Sequence, residues 1–152
     1  MTDTAAPRSK ARSAARLAAV QALYQIDMER TAVARVLDEF HQHRLGREIE
    51  DIQFADAEVD FFDDIVRGVD ARREEIDLRL SERLAEGWTL KRLDKSMLQV
   101  LRCGAYELIA RADVPKATAI SEYVDVAKAF FDDREAKFVN GILDAVAKDA
   151  RG

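Results

Sequence analysis

An all-α fold follows from three features of this sequence. Apolar residues recur at three- and four-residue steps through most of it, Ala, Leu, Arg, Glu and Asp dominate, and only two prolines (Pro7, Pro115) and six glycines interrupt them. No stretch reads as a convincing strand. The expected architecture is about seven helices in two packed helical bundles, with no solenoid repeat and no low-complexity segment.

Residues 1–8 read as a flexible basic tail, and residues 9–150 as a single helical domain with subdomains of about 9–86 and 88–150, joined near Gly87. The first helix is expected from about Ser9 to Glu29, with Leu17, Val20, Leu23, Tyr24 and Met28 facing a core. The second, from about Ala32 to His43, gathers Val33, Val36, Leu37 and Phe40. The acidic stretch after Gly46 reads as a solvated loop. A third helix begins near Asp56 or Ala57, with Val59, Phe62, Ile65, Val66 and Val69 on one face, and Ile76, Leu80 and Leu84 follow before the break at Gly87.

After a short connection containing Trp88 and Leu90, the run Met97, Leu98, Leu101, Gly104, Ala105, Leu108 and Ile109 marks a central core helix. Pro115 ends it, because the residue before a proline is driven out of helical geometry. Ile120, Tyr123, Val124, Ala127 and Phe130 define the next face. The last helix carries Phe138, Val139, Ile142, Leu143 and Val146, with Asp132 or Asp133 as its cap.

A chain of 152 residues, 48% hydrophobic and 35% charged, is long enough to bury a core without staples. No apolar run approaches the ~20 residues of a membrane span, and Met1 to Lys10 lacks the apolar stretch of a secretory signal, so a cytoplasmic location is expected. The single cysteine, Cys103, excludes an internal disulfide and reads as a packed thiol. Net charge is −5, yet unevenly spread. Arg8, Lys10, Arg12 and Arg16 face one acidic residue in the first sixteen positions, while ten acidic residues face Arg44 and Arg47 between Asp38 and Asp64. Such asymmetry suits a chain that offers one end to a polyanion.

Catalytic patterns are missing from the sequence. There is no phosphate-cradling Gly-rich loop, dinucleotide fingerprint or nucleophile elbow. His41 and His43, two apart on a helix, point to different sides and cannot form a metal pair. The carboxylate neighbours Glu74/Glu75 and Asp132/Asp133 read as capping and solubility. No enzyme activity, cofactor or metal is expected.

Arg8, Arg12 and Arg16, four apart, would form one ridge on a helix, with Lys10 beside it. Cations there oppose the helix macrodipole by ~0.3–1 kcal/mol each, a cost that a bound polyanion relieves; a frayed basic end that aids solubility is the other reading. Tyr24 and Phe138 are candidates to stack on bases, and both also fit apolar stripes as core residues.

Five motifs in order then resemble one family. Ala15-Arg16-Leu17-Ala18-Ala19-Val20-Gln21-Ala22-Leu23-Tyr24 is similar to the opening of the NusB family. It is followed by Leu101-Arg102 with Ala105-Tyr106-Glu107-Leu108, by Asp113-Val114-Pro115, and by Ala119-Ile120-Ser121-Glu122 with Ala127-Lys128. Lys137-Phe138-Val139-Asn140-Gly141-Ile142-Leu143-Asp144 closes the series as its most specific member. The resemblance covers residues 9–147. It implies a NusB-like fold of two small helical bundles and a role in transcription antitermination.

The partners implied are boxA single-stranded RNA of ribosomal RNA leader transcripts, NusE (a small ribosomal subunit protein) and the RNA polymerase antitermination complex, with no membrane. The free chain would be a monomer or a homodimer. The family's RNA surface maps onto Arg12, Arg16, Gln21, Tyr24, Lys137 and Phe138, with Lys128 as a lesser candidate. Arg8 and Lys10 stand in for an arginine cluster thinned by Ser13 and Ala14, and Arg134 occupies a position where family members often carry an acid. The segment Lys91 to Met97 is the expected NusE-facing region. Two alternatives remain. One is a helical adaptor that binds only proteins, and the other is a relative of the RNA-binding domain of RNA cytosine methyltransferases, whose catalytic domain has no counterpart here.

Overall fold

The computed structural model describes residues 5–45, 48–49, 52–53 and 58–152, and the side chains of residues 10–45 and 58–152. Among these residues are seven α-helices, α1 (Ala5–Glu29), α2 (Val33–His43), α3 (Val59–Ala71), α4 (Arg73–Ser81), α5 (Lys95–Ala110), α6 (Lys116–Phe130) and α7 (Asp133–Arg151), and a 3₁₀ turn at Leu90–Arg92. One difference from the all-helical expectation is a minimal antiparallel ladder of β1 (Glu48–Ile49) and β2 (Ile52–Gln53) within the acidic stretch read as a loop. Its register sets Glu48 opposite Gln53 and Ile49 opposite Ile52. The start expected at Asp56 or Ala57 for the third helix lies outside the described residues.

The chain divides into two compact units, Met1–Arg67 and Gly68–Gly152. The expected join near Gly87 differs from this division because α4 packs on α5 and α7, within the second unit. Gly87 does interrupt the helices. It adopts φ +89°, a conformation with a steric cost for any residue carrying a Cβ.

In the first unit α1 packs against α2, and the rings of Phe40 and Phe62 stack at 5.5 Å. Helix α1 begins at Ala5, four residues before the expected start, since Ala5 and Ala6 favour helix and Pro7 is tolerated in a first turn. Its buried face differs from the expected stripe. Ala15, Ala18, Ala19, Ala22, Val20, Leu23 and Ile26 are buried, whereas Tyr24 and Met28 are exposed. Alanine side chains can fill a tightly packed face on which larger residues would not fit. Val59, at the first position of α3, and Phe130, in the last turn of α6, are likewise exposed, while Phe61 joins the buried set.

The second unit is built around α5, whose residues from Met97 to Leu108 are all buried. Helices α6 and α7 pack on it and on each other. At Gly104 an added Cβ would lie 2.7 Å from Leu143 Cδ1, so glycine permits the close approach of α5 and α7. Cys103 is buried, and desolvation pushes its thiol well above the ordinary range, which fits the packing role.

Burial on all sides obliges the polar side chains of α5 to find partners. Arg102 forms a two-pronged pair with Asp77 of α4, at 2.8 and 2.9 Å. Tyr123 of α6 donates its hydroxyl hydrogen to the carboxylate of Glu107. Asp94 caps the N-terminus by accepting from the amides of Ser96 and Met97, and Asp132 caps α7 the same way through Arg134 and Glu135.

The other end of α5 is closed from a distance. Arg151, in the last turn of α7, donates to the carbonyls of Glu107, Leu108, Arg111 and Val114 at 2.7–3.1 Å. A cation there meets the carbonyls at the helix end, of which those of Glu107 and Arg111 also accept the amides of Arg111 and Val114, and the negative end of the helix dipole. Arg151→Ala is expected to lower the unfolding free energy by roughly 2 kcal/mol in urea denaturation, the scale of losing several charge-assisted hydrogen bonds at a half-buried site.

Candidate nucleic-acid interface

The candidate RNA residues fall into one set in each unit. On α1, Lys10 is exposed at the open end of the ridge. Arg12 is half-buried. Its Nε donates to Glu58 Oε2 at 3.2 Å, and its guanidinium lies 4.5 Å from the centre of the Phe61 ring. The chain leading into α3 is fixed beside it, since the Glu58 amide donates to the Ala11 carbonyl at 3.0 Å.

Arg16 corrects the picture of an exposed ridge, because only 2% of its surface is accessible. Its guanidinium lies 5.0 Å from the same Phe61 ring. The planar, weakly hydrated guanidinium is the cation best suited to such a position. Arg8 lies within α1, and its side chain is outside the described residues. One turn or more beyond, Gln21 is half-buried, and Tyr24 is 39% exposed, which corrects its reading as a core residue. Leu17, Gln21, Tyr24 and Met28, spaced at four, three and four, form a partly exposed stripe.

In the second unit, Lys128 is exposed in the last turn of α6, and Arg134 and Lys137 are exposed in the first two turns of α7. The structure brings Lys128 and Lys137 together along an open cleft of about 650 Å³ between α6 and α7, whose floor includes Ile120 and Val124. Lys116, which the sequence reading passed over, lines the same cleft. Phe138 is half-buried and shares with Arg134 a second cleft of about 530 Å³, reached also by Trp88, Arg92, Phe131 and Glu135. These residues were missed because they come from separate segments. The one legible signal was Trp88, the chain's only tryptophan, beside a helix-breaking glycine.

Comparison with known proteins decides the family. The model of the NusB family matches residues 13–148. The chain belongs to the NusB family. A NusB relative from Novosphingobium aromaticivorans, named transcription antitermination protein NusB, is 72% identical over 142 residues, which span 93% of this chain and 96% of that protein. Among solved structures, NusB of T. maritima superposes with a TM-score of 0.75 at 31% identity, covering 93% of both chains. The NusB fold is also shared, at 24% identity and a TM-score of 0.76 over 92% of this chain and 98% of that one, with a crystal structure of antitermination factors NusB and NusE in complex with double-stranded RNA. Among the described residues no group of His, Cys, Asp and Glu side chains is placed to hold a metal, and no helix is long and apolar enough to cross a membrane.

The different burial of the α1 cations has a measurable consequence. Arg16→Ala is expected to cost roughly 2–3 kcal/mol of stability, because it empties a packed position and removes the Phe61 contact. Lys10→Ala, at an exposed position, should stay within about 0.5 kcal/mol of the parent in the same urea titration.

Proposed function

We propose that this chain is a transcription antitermination factor of the cytoplasm. It binds boxA-type single-stranded RNA of ribosomal RNA leader transcripts together with NusE, and the assembly helps to keep RNA polymerase elongating without catalysis by this chain. The observation that carries the RNA reading is the coincidence of accessible cations with accessible rings. In a chain of net charge −5, Lys10 and Tyr24 sit on α1, and Arg134, Lys137 and Phe138 lie near the start of α7. Single-stranded RNA is held by this combination, with cations following phosphates and aromatic faces stacking on bases at ~1–3 kcal/mol each.

Within this reading the arginines divide their work. Arg16 is a positioning residue that fixes α1 against Phe61, and Arg12 stands at the boundary, half-buried with its guanidinium over Phe61 and paired with Glu58. The direct phosphate contacts fall to Lys10, Lys128, Arg134 and Lys137, with Arg8 continuing the ridge.

RNA affinity should therefore fall with added salt. Fluorescence anisotropy of labelled boxA RNA with the NusE-bound chain is expected to give a log–log slope near −0.7 for each phosphate neutralised, and Lys10→Ala and Lys137→Ala should each make it shallower by about that amount. Salt-independent or absent RNA binding, with NusE still bound, would support the protein-only adaptor instead.

A further inference from the structure

A glycine inside a helix costs backbone entropy and supplies no side chain to pack, so its presence needs a physical reason. Four of the five described glycines have one. Gly87 and Gly152 hold positive φ, which residues with a Cβ rarely adopt. Gly68 of α3 lies against the ring of Tyr106, and Gly104 of α5 against Leu143, so close that a Cβ on either would collide. Gly141 has neither reason. It stands in the middle of α7 with ordinary helical backbone, it is exposed, and a Cβ placed on it would meet nothing within 4 Å. Nothing among the described residues requires a glycine there, which leaves a neighbour from outside the chain.

The surroundings of Gly141 narrow that neighbour. On a helix surface the residues three, four and seven positions away are adjacent. Toward the N-terminus these are Phe138, Lys137 and Arg134. Phe138 is half-buried, both cations are exposed, and among the described residues neither cation forms an ion pair. Toward the C-terminus, Asp144 lies 3.6 Å from Lys148, which offsets its charge. Gly141 also separates two clefts. Asn140 and Asp144 line the one that holds Lys128 and Lys137, and Phe138 lines the other with Arg134. At ~100° per residue, Gly141 falls between Asp144 and Phe138 around the axis, on the ridge that divides the clefts. Without a side chain it is the low point of that ridge.

We infer that a strand of RNA crosses α7 at Gly141, with its sugar–phosphate backbone against the bare helix and its phosphates facing Lys137 and Arg134. The strand so passes from the cleft of Phe138 to that of Lys128. The inference rests on the RNA-binding reading and adds to it the path of the strand and the residue that permits it. Two cations without acidic partners favour a polyanion over a peptide of mixed charge, and glycine lets another backbone approach the helix closely.

Gly141→Ala and Gly141→Leu separate close approach from a structural role, because both replacements favour helix. Each full-length variant, bound to NusE, is compared with the parent by anisotropy of labelled boxA RNA, with urea unfolding of the chain and its NusE affinity measured alongside. Gly141→Ala is expected to raise the urea midpoint by about 0.3 M and yet to weaken RNA binding about fivefold, the scale of one overpacked methyl group. Gly141→Leu should bind RNA more weakly again, and NusE affinity should stay within about twofold of the parent for both. A lowered midpoint would assign the glycine to the fold. Unchanged RNA affinity in both variants would leave the ridge uncrossed, and weakened NusE binding with RNA affinity retained would make the neighbour a protein. Each of these results would overturn the crossing alone. Absence of RNA binding by the NusE-bound parent would overturn the RNA reading beneath it.

Discussion

A helix buried on every side has no room for unpaired polar groups, and α5 imposes that constraint on the whole second unit. Its Arg102 requires Asp77, which fixes α4; its Glu107 takes the Tyr123 hydroxyl, which fixes α6; its C-terminal carbonyls take the Arg151 guanidinium, which fixes the far end of α7. Gly104 then lets α7 lie close enough for Leu143 to fill the gap. With both of its ends set, α7 holds Arg134, Lys137 and Phe138 in a constant register on its first two turns. The side chains proposed to meet RNA are thus positioned by groups that never touch it.

Much of the helical architecture was legible because it depends on local signals. Period, the cap at Asp132 and the Pro115 stop place α5, α6 and α7 almost where they are found, and α2 within a residue. What the sequence concealed was the identity of buried faces where two patterns compete. On α1 the larger residues Tyr24 and Met28 seemed the natural core, but the buried face carries Ala15, Ala18, Ala19 and Ala22 with Val20, Leu23 and Ile26 instead. The two-residue ladder at Ile49 and Ile52 was hidden for another reason, since a ladder so short leaves no periodic trace.

The site was legible as residue types and illegible as roles. Arg12 and Arg16 look equivalent in sequence. Phe61 and Glu58, some 45 positions away, separate them by burying one and pairing the other. Such long-range contacts carry no local signature. The cleft around Phe138 was missed in the same way, because Trp88 and Arg92 come from the connection between α4 and α5, where Leu90–Arg92 form a single 3₁₀ turn, and Glu135 reads as an ordinary first-turn acid on α7.

The most direct test of the central claim, that RNA meets α1 and the opening of α7, is amide hydrogen exchange of the NusE-bound chain with and without boxA RNA. Slowed exchange is expected in α1 between Lys10 and Tyr24 and in the segment from Phe131 to Phe138, with α2 unchanged. Protection confined to α2 or α4, with α1 and the start of α7 exchanging as before, would contradict it.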